Sequence, residues 1–306
     1  MPLRSGDTLN KHAVEIALIA ATAFMSVSAI LVRFTDAPSM VLVFYRMLFT
    51  VLIMLPFVIW KYRAEMRSVD RSDAAMCIVS GIMLALHFFT FFESLRYTSI
   101  TSNLVLVNTS AFFVAFISMI VFKEKMPLKG WIAILITFVG SAIISLSDMS
   151  SGGENALYGD ILAIMGALLF SFYAVIGRRQ RERKGMSVIP YTFIIYSVAA
   201  LTSLVLLLVT GERIVGYEPN DYLCALGMAV FCTLLGHSVY NWGFKYVTAS
   251  FVSVVALSEP IFGTILGMLF FGEVPSVIVV IGSIVTLLGM YLFSLNENNE
   301  EVKDAV

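Results

Sequence analysis

Glu259 and Pro260 stand side by side in SFVSVVALSEPIFGTILGMLFF, a carboxyl group and a helix breaker inside an otherwise apolar run. A carboxylate in such a setting can hold an ammonium group, carry a proton, or bond to a neighbouring helix as a purely structural acid. Lining a substrate path is the favoured expectation, and the structural acid is the alternative. Few other side chains in apolar runs can do chemistry. They are His87, followed on its face by Thr90 and Ser94; His237 and Asn241, four residues apart, with Tyr240 beside them; Asn108 beside Thr109 and Ser110; Tyr173, following Ser171; and Arg46. Glu259, His87, His237, Asn108, Asn241, Tyr240 and Tyr173 are the candidates for substrate binding or coupling. Each has a structural alternative as a satisfied buried polar group. Arg46 could snorkel toward the surface and is expected to form a structural or gating ion pair, with substrate contact as the alternative.

Two histidines and a glutamate could bind zinc, but they lie on separate runs without local ligand spacing, so no metal and no cofactor is expected. Cys77, Cys224 and Cys232 fit neither a zinc motif nor a redox pair and read as small apolar residues. The aromatics of HFFTFFESLRY are mostly packing residues, with a minority able to stack on a flat substrate or cradle a cation. No paired acids and no nucleophile next to a base appear, so an intramembrane enzyme is not expected.

The elements that must position these groups follow from composition. Of 306 residues, 59% are hydrophobic and 13% charged, about half the charge of an ordinary soluble domain. Apolar runs of roughly 20 residues, the length that crosses a hydrocarbon core, recur along the chain. They predict an all-α integral membrane protein with ten spans, at about 13–33, 40–60, 74–94, 99–122, 129–147, 157–177, 189–210, 222–243, 249–271 and 276–295. No cleavable signal peptide is read at the start. Residues 1–12 and the acidic tail 296–306 are expected to be polar ends too short to fold alone. The net charge of −1 argues against nucleic acid as a partner.

Lysine and arginine set orientation. With the amino terminus in the cytoplasm, Arg33, Arg96 and Arg213 are the only basic residues in outer segments. Arg46 lies within a span, and the rest of the 20 Lys and Arg fall inside. Both termini are therefore expected to be cytoplasmic, in a plasma membrane of bacterial type.

The chain also repeats itself. At an offset of 149, Tyr97 meets Tyr246, Val105 meets Val254, Phe113 meets Phe262, Met119 meets Met268, Phe122 meets Phe271, Glu124 meets Glu273 and Gly140 meets Gly289. A weaker register at 145 places Ser26, Ala29 and Arg33 on Ser171, Ala174 and Arg178. Two units result, 13–147 and 157–295, joined by an outer linker, 148–156. Five spans in each unit make the second enter from the opposite side. Such inverted repeats recur in secondary transporters, with the site near the midplane.

The segments LSEPIFGTILGMLFFGE and IGSIVTLLGMYL, the second-span segment APSMVLVFYRMLFTVLIMLP with Arg46, and the first-half copy NTSAFFVAFISMIVFKEKMPLKGWIAILITFVGSAIIS resemble EamA-type members of the drug/metabolite transporter superfamily. The resemblance implies a ten-helix carrier with a central cavity, usually exporting amino acids or other small metabolites. One departure stands out: Ser110-Ala111 occupies the place of Glu259-Pro260 in the first copy, so any role of Glu259 is asymmetric.

Glu259 lies about ten residues into its span, about 15 Å deep. A charge there costs at least about 2.5–3.5 kcal/mol, to be offset by protonation, a cation or a wet cavity. Pro260 removes a backbone N–H, so the carbonyl near Ala256 needs protein or water around it. Gly263 and Gly267, on the face of Glu259, form a small-xxx-small pair that predicts close helix approach. The expected function is a secondary carrier moving an amino acid or related metabolite out of the cell by alternating access, with a proton as candidate coupling ion, as a monomer or homodimer. The alternatives are an uptake carrier for a cationic or nucleotide-like metabolite and, from a different class, an intramembrane sensor or channel. The cavity is expected between spans one, three, four, six, eight and nine.

Overall fold

The computed structural model describes residues 11–97, 103, 106–123, 126–146, 156–183, 185–271 and 276–304. Among them the regular elements are helical and form ten successive rods: α1 (Lys11–Arg33), α2 (Ser39–Phe57, running on through a π-helical turn, Val58–Tyr62, to Ser68), α3 (Arg71–Ser94), α4 (Ser110–Phe122), α5 (Leu128–Leu146), α6 (Ala156–Arg178, extended by Arg179–Arg183), α7 (Val188–Thr210), α8 (Pro219–Gly227, Met228–His237 and Ser238–Gly243), α9 (Ala249–Ala256, then Glu259–Phe271) and α10 (Val277–Asp304). Seven of these are long and apolar enough to cross a membrane, and three shorter apolar helices accompany them. Their outer faces carry large apolar side chains, such as Trp60, Val209 and Leu269, which suits a hydrocarbon solvent.

Local signals place the ends. The Asp70 carboxylate accepts from the Asp73 N–H at 2.8 Å and caps α3. Glu218 and Asp221 form a reciprocal capping box on α8, and Thr248 caps α9 through the Phe251 N–H. Each satisfies N–H groups that a helix start leaves free. Gly211, with φ of 71°, ends α7 in the left-handed conformation that glycine adopts without penalty.

Three expectations change. The acidic tail is not a separate polar end, because α10 continues through it to Asp304. Extending an existing helix avoids the cost of nucleating one. The fourth span is interrupted: it is helical at 103 and 106–108, turns at Thr109 and is helical again from Ser110, with 98–102 and 104–105 outside the described residues. The ninth span is not one helix: it breaks at Leu257-Ser258, one residue before Glu259-Pro260.

The repeat is visible in the packing. A Cβ added at Gly140 would crowd Thr286, and one at Gly289 would crowd Thr137. Thr137 and Thr286 are themselves one repeat offset apart, as are Gly140 and Gly289. The pairs 140–286 and 137–289 run in opposite directions along the two helices, so α5 and α10 cross antiparallel about a local two-fold. The breaks repeat as well. The Ser258 N–H donates to the Val255 carbonyl at 3.0 Å, and the Ser258 carbonyl accepts from Ile261 and Phe262 at 3.0 and 3.4 Å. Thr109 does the same with Leu106 at 3.1 Å and with Phe112 and Phe113 at 3.0 and 3.4 Å. Pro260 alone does not cause the break, since the same backbone forms where the first copy has Ala111.

Both ends of the bundle are tied across the halves. At one end Asp221, the third residue of α8, accepts the Asp36 N–H from the α1–α2 turn at 3.2 Å, and the Asn220 amide bonds the Phe34 carbonyl. At the other, Asp73, the third residue of α3, accepts from Gln180 in the extension of α6 at 3.3 Å. Glu65 nearby accepts the Ser187 N–H at 2.7 Å. The two ties use the same position of corresponding helices.

Candidate functional site

Between the halves, α1, α2, α3, α4, α6, α8 and α9 line a cavity of about 50 Å3, room for roughly three to five waters at about 10–15 Å3 each. Glu259, His87, His237 and Asn108 all line it, together with Arg46, Phe88 and Phe170. The helices are those expected from the sequence, with α2 added through Arg46. Tyr173, Tyr240 and Asn241 do not reach the cavity wall. Asn241 donates to the Tyr173 hydroxyl at 2.5 Å and to the His237 carbonyl at 2.7 Å, and Tyr240 pairs with Thr22 at 2.6 Å. These three form a buried polar layer behind His237.

The break in α9 sets the position of Glu259. Its carbonyl accepts from Ser26 of α1 at 3.2 Å. Its carboxyl group, partly exposed to the cavity, meets no hydrogen-bond or ion-pair partner among the described residues. A structural acid bonded to a neighbouring helix is therefore not what the geometry contains. The Ala256 carbonyl, which Pro260 cannot serve, belongs to a residue lining the same cavity. This puts an unused acid and a loosened backbone turn at one level, as the cost of burial requires.

His87 is oriented by Nδ1, 2.9 Å from the Gly166 carbonyl. A carbonyl partner makes Nδ1 the donor, so Nε2 is free of the proton in the neutral ring. His237 is 2% exposed, and its Nδ1 has no partner. Around the two rings stand Phe88, edge-on to His237 at 5.0 Å; Phe170, 5.2 Å from His87; and Tyr173, 6.1 Å from His237. Asn108, at the break of α4, donates to the Ser141 hydroxyl at 2.7 Å.

Arg46 departs most from expectation. It is 2% exposed and neither snorkels nor forms an ion pair among the described residues. Its Nε donates to the Thr233 hydroxyl of α8 at 2.8 Å, and its guanidinium lies over the Phe88 ring at 4.0 Å. Cation–π contact contributes about 2 kcal/mol when desolvated. Phe88 is one of the HFFTFFESLRY aromatics, of which a minority was expected to cradle a cation; Thr233 was missed in the sequence, although it stands four residues before His237, a spacing that could have revealed it. The expected glycine approach also moves. A Cβ at Gly263 meets nothing within 4 Å, Gly267 lies outside the described packing, and close helix approach is found instead at Gly140 and Gly289 and at Gly81, whose Cβ would stand 2.6 Å from the Ile195 carbonyl. Among the described residues no cluster of three His, Cys, Asp or Glu could hold a metal ion.

The model of the EamA-like transporter family matches residues 12–146 and 157–295. A transporter of Clostridium kluyveri is 28% identical over 260 residues, 82% of each chain. The pseudopaline exporter CntI of Pseudomonas aeruginosa is 24% identical over 289 residues, 94% of this chain and 97% of that one. A crystal structure superposes with a TM-score of 0.76 at 15% identity, covering 94% of this chain and 99% of its own, a likeness of fold.

Proposed function

We propose that this chain, which belongs to the EamA-like transporter family, exports an amino acid or related zwitterionic metabolite by alternating access. A transporter needs a polar site closed from both sides in turn. The observation that supports the substrate reading is the cavity wall itself: one acid, Glu259, and one buried cation, Arg46, line the same small space and act on each other's charge without a hydrogen bond or close ion pair between them among the described residues. An ammonium group at Glu259 and an anionic group elsewhere on the wall would lower the cost of both burials. The relation to an exporter favours the outward direction. The excess of Lys and Arg in alternate loops favours cytoplasmic termini.

The mechanism follows from the ties at the ends. With both in place, the cavity is too small for an amino acid, so loading requires one end to open while the other holds. Units 13–147 and 157–295, threaded oppositely through the membrane, would rock about the α5–α10 crossing. Release of the Asp73–Gln180 tie would admit substrate from the cytoplasm, and release of the Asp221–Asp36 tie would discharge it outside. Glu259 would take the substrate ammonium or a coupling proton in turn. One carboxyl group shared between them makes their binding competitive.

The test is counterflow of radiolabelled amino acids in proteoliposomes, comparing wild type with Glu259→Gln. Gln keeps the shape and loses the charge, so the variant is expected to fold, insert and lose transport. Full transport by Glu259→Gln would remove the acid from the mechanism.

A further inference from the structure

We propose that Arg46 is the carboxylate-binding end of the cavity and that Thr233 is the residue positioning it, which makes Thr233 a determinant of acid-over-amide specificity. The inference rests on the amino-acid reading above and goes beyond it by naming the anionic subsite.

A guanidinium has five N–H donors. In Arg46, Nε is used on Thr233 and one face of the group is covered by Phe88. The four N–H of the two Nη atoms find no acceptor among the described residues, although the side chain is 2% exposed and lines the cavity. Burying a cation with four unmet donors is costly unless an anion arrives. Glu259 is near enough for the two charges to act on each other, but it makes no close ion pair with Arg46 and takes none of these N–H groups. What fits is a group with two coplanar oxygens taking two parallel N–H bonds, and a carboxylate does this. His237 Nδ1, likewise without a partner, lies on α8 one turn beyond Thr233.

Thr233 is built for its part. Residues 228–237 wind as a π-helix, a distortion found often at functional sites. There the Thr233 hydroxyl donates to the Met228 carbonyl, five residues back, at 3.3 Å. Its hydrogen is thus committed, and its lone pair is what Arg46 Nε meets. Neither partner can exchange roles, so the guanidinium is held at one edge and on one face, and the other edge is presented to the cavity. Thr233 also joins the halves, since Arg46 belongs to the first unit and Thr233 to the second. Substrate clamping and closure of the two units would be coupled at this one bond.

The experiment is competition against radiolabelled amino acid in counterflow, using each free amino acid and its carboxamide. The amide keeps the ammonium and side chain and loses only the charged oxygen pair. Wild type is expected to prefer acid to amide by about ten- to hundred-fold, the range of hydrogen bonds to charged groups. Thr233→Val should lower that ratio at least several-fold, Thr233→Ser should restore it, and Arg46→Lys should abolish most of it. If Thr233→Val weakens acid and amide equally, or leaves the ratio unchanged, Thr233 is merely structural and the proposal falls. Should Thr233→Val not fold, a folded Arg46→Lys with the wild-type ratio overturns it as well. Wild type that carries no amino acid would overturn the function proposed above together with this subsite. Wild type that carries amino acids without preferring them to their amides overturns the subsite alone.

Discussion

The crossing of α5 and α10 makes a quantitative prediction, because four residues on two helices share one contact. A methyl group at Gly140 would stand 2.6 Å from Thr286 Oγ1 and 2.8 Å from the Gly282 carbonyl. Ordinary contact begins at 3.4 Å, so the helices must separate by roughly 0.5–1 Å, enough to forfeit a quarter to a half of each dispersion well along the crossing. Overpacking of this kind costs about 1–3 kcal/mol. Gly289→Ala meets Thr137 in the reciprocal way, its Cβ 2.9 Å from the Thr137 Cα, and should cost a similar amount. The double variant is the discriminating one. Once the first methyl has pushed the helices apart, the second enters room already made, so the double should be milder than the sum by about 0.5–3 kcal/mol. Gly263→Ala is the internal control: its methyl meets nothing, and replacing a mid-helix glycine should stabilise by about 0.5–1 kcal/mol. Equilibrium unfolding in mixed lipid–detergent micelles measures all four. Strict additivity of Gly140→Ala and Gly289→Ala, or a loss at Gly263 as large as at Gly140, would refute the reciprocal crossing and the local two-fold read from it.

The end ties predict opposite effects from equivalent substitutions. Asp221→Ala should favour opening at the Asp36 end, and Asp73→Ala at the Gln180 end. Single cysteines placed in the cavity should then become reactive toward impermeant thiol reagents from opposite sides of the membrane; the same side for both would end the gating reading. Cys77, Cys224 and Cys232 are all free and buried, so the native protein should resist such reagents until it is denatured. Rapid modification of the folded protein would contradict that packing. Phe88→Leu should leave the fold intact and weaken transport about ten-fold or more, because the Arg46 cation loses its aromatic face; wild-type uptake rates would show that the stacking has no part in function.

What the sequence made legible was whatever depends on period and on the cost of burial. Helix limits came within a few residues wherever a cap or a charged turn ended an apolar run, as at Asp70 and Gly211. Glu259, His87, His237 and Asn108 were singled out because a polar atom in an apolar run is expensive wherever it points, and all four line the cavity. Tyr173, Tyr240 and Asn241 satisfied the same criterion but are bonded one layer back, Asn241 to Tyr173 and Tyr240 to Thr22, and no periodicity separates a cavity wall from the layer behind it. Arg46 was misjudged because its depth along α2 was read without its rotation. A hydroxyl from another helix and a phenyl face can replace the expected ion pair, and both are contacts between segments far apart in the chain. The long α10 was missed for a different reason: composition argues against a tail folding by itself and is silent on a tail that begins as the end of a stable helix.

The asymmetry of the cavity is where symmetry and function separate. The broken turns at Thr109 and Ser258 have the same hydrogen bonds, so the backbone device belongs to both copies and owes nothing to proline. Only the second copy places an acid on it, and only α2, not its counterpart α7, contributes a guanidinium to the same cavity. Two-fold related scaffolds with identical walls would present the same chemistry at both ends of the space and could hold a zwitterion in either of two orientations. On the function proposed above, one acid and one cation would remove that degeneracy, giving a bound amino acid a single head-to-tail direction while the helices around it kept two equivalent ways to move. The consequence is that moving the acid from Glu259 to the corresponding position, as Ser110→Glu with Glu259→Ser, should preserve the fold and the bilateral opening yet reverse the end at which the ammonium must sit. Arg46, which does not move, would then no longer oppose the acid in the same geometry. Transport of the parent substrate should fall to background while side-specific labelling of the cavity persists. If the exchanged protein still carries the parent substrate at the native rate, the polarity of the site is not what selects its cargo.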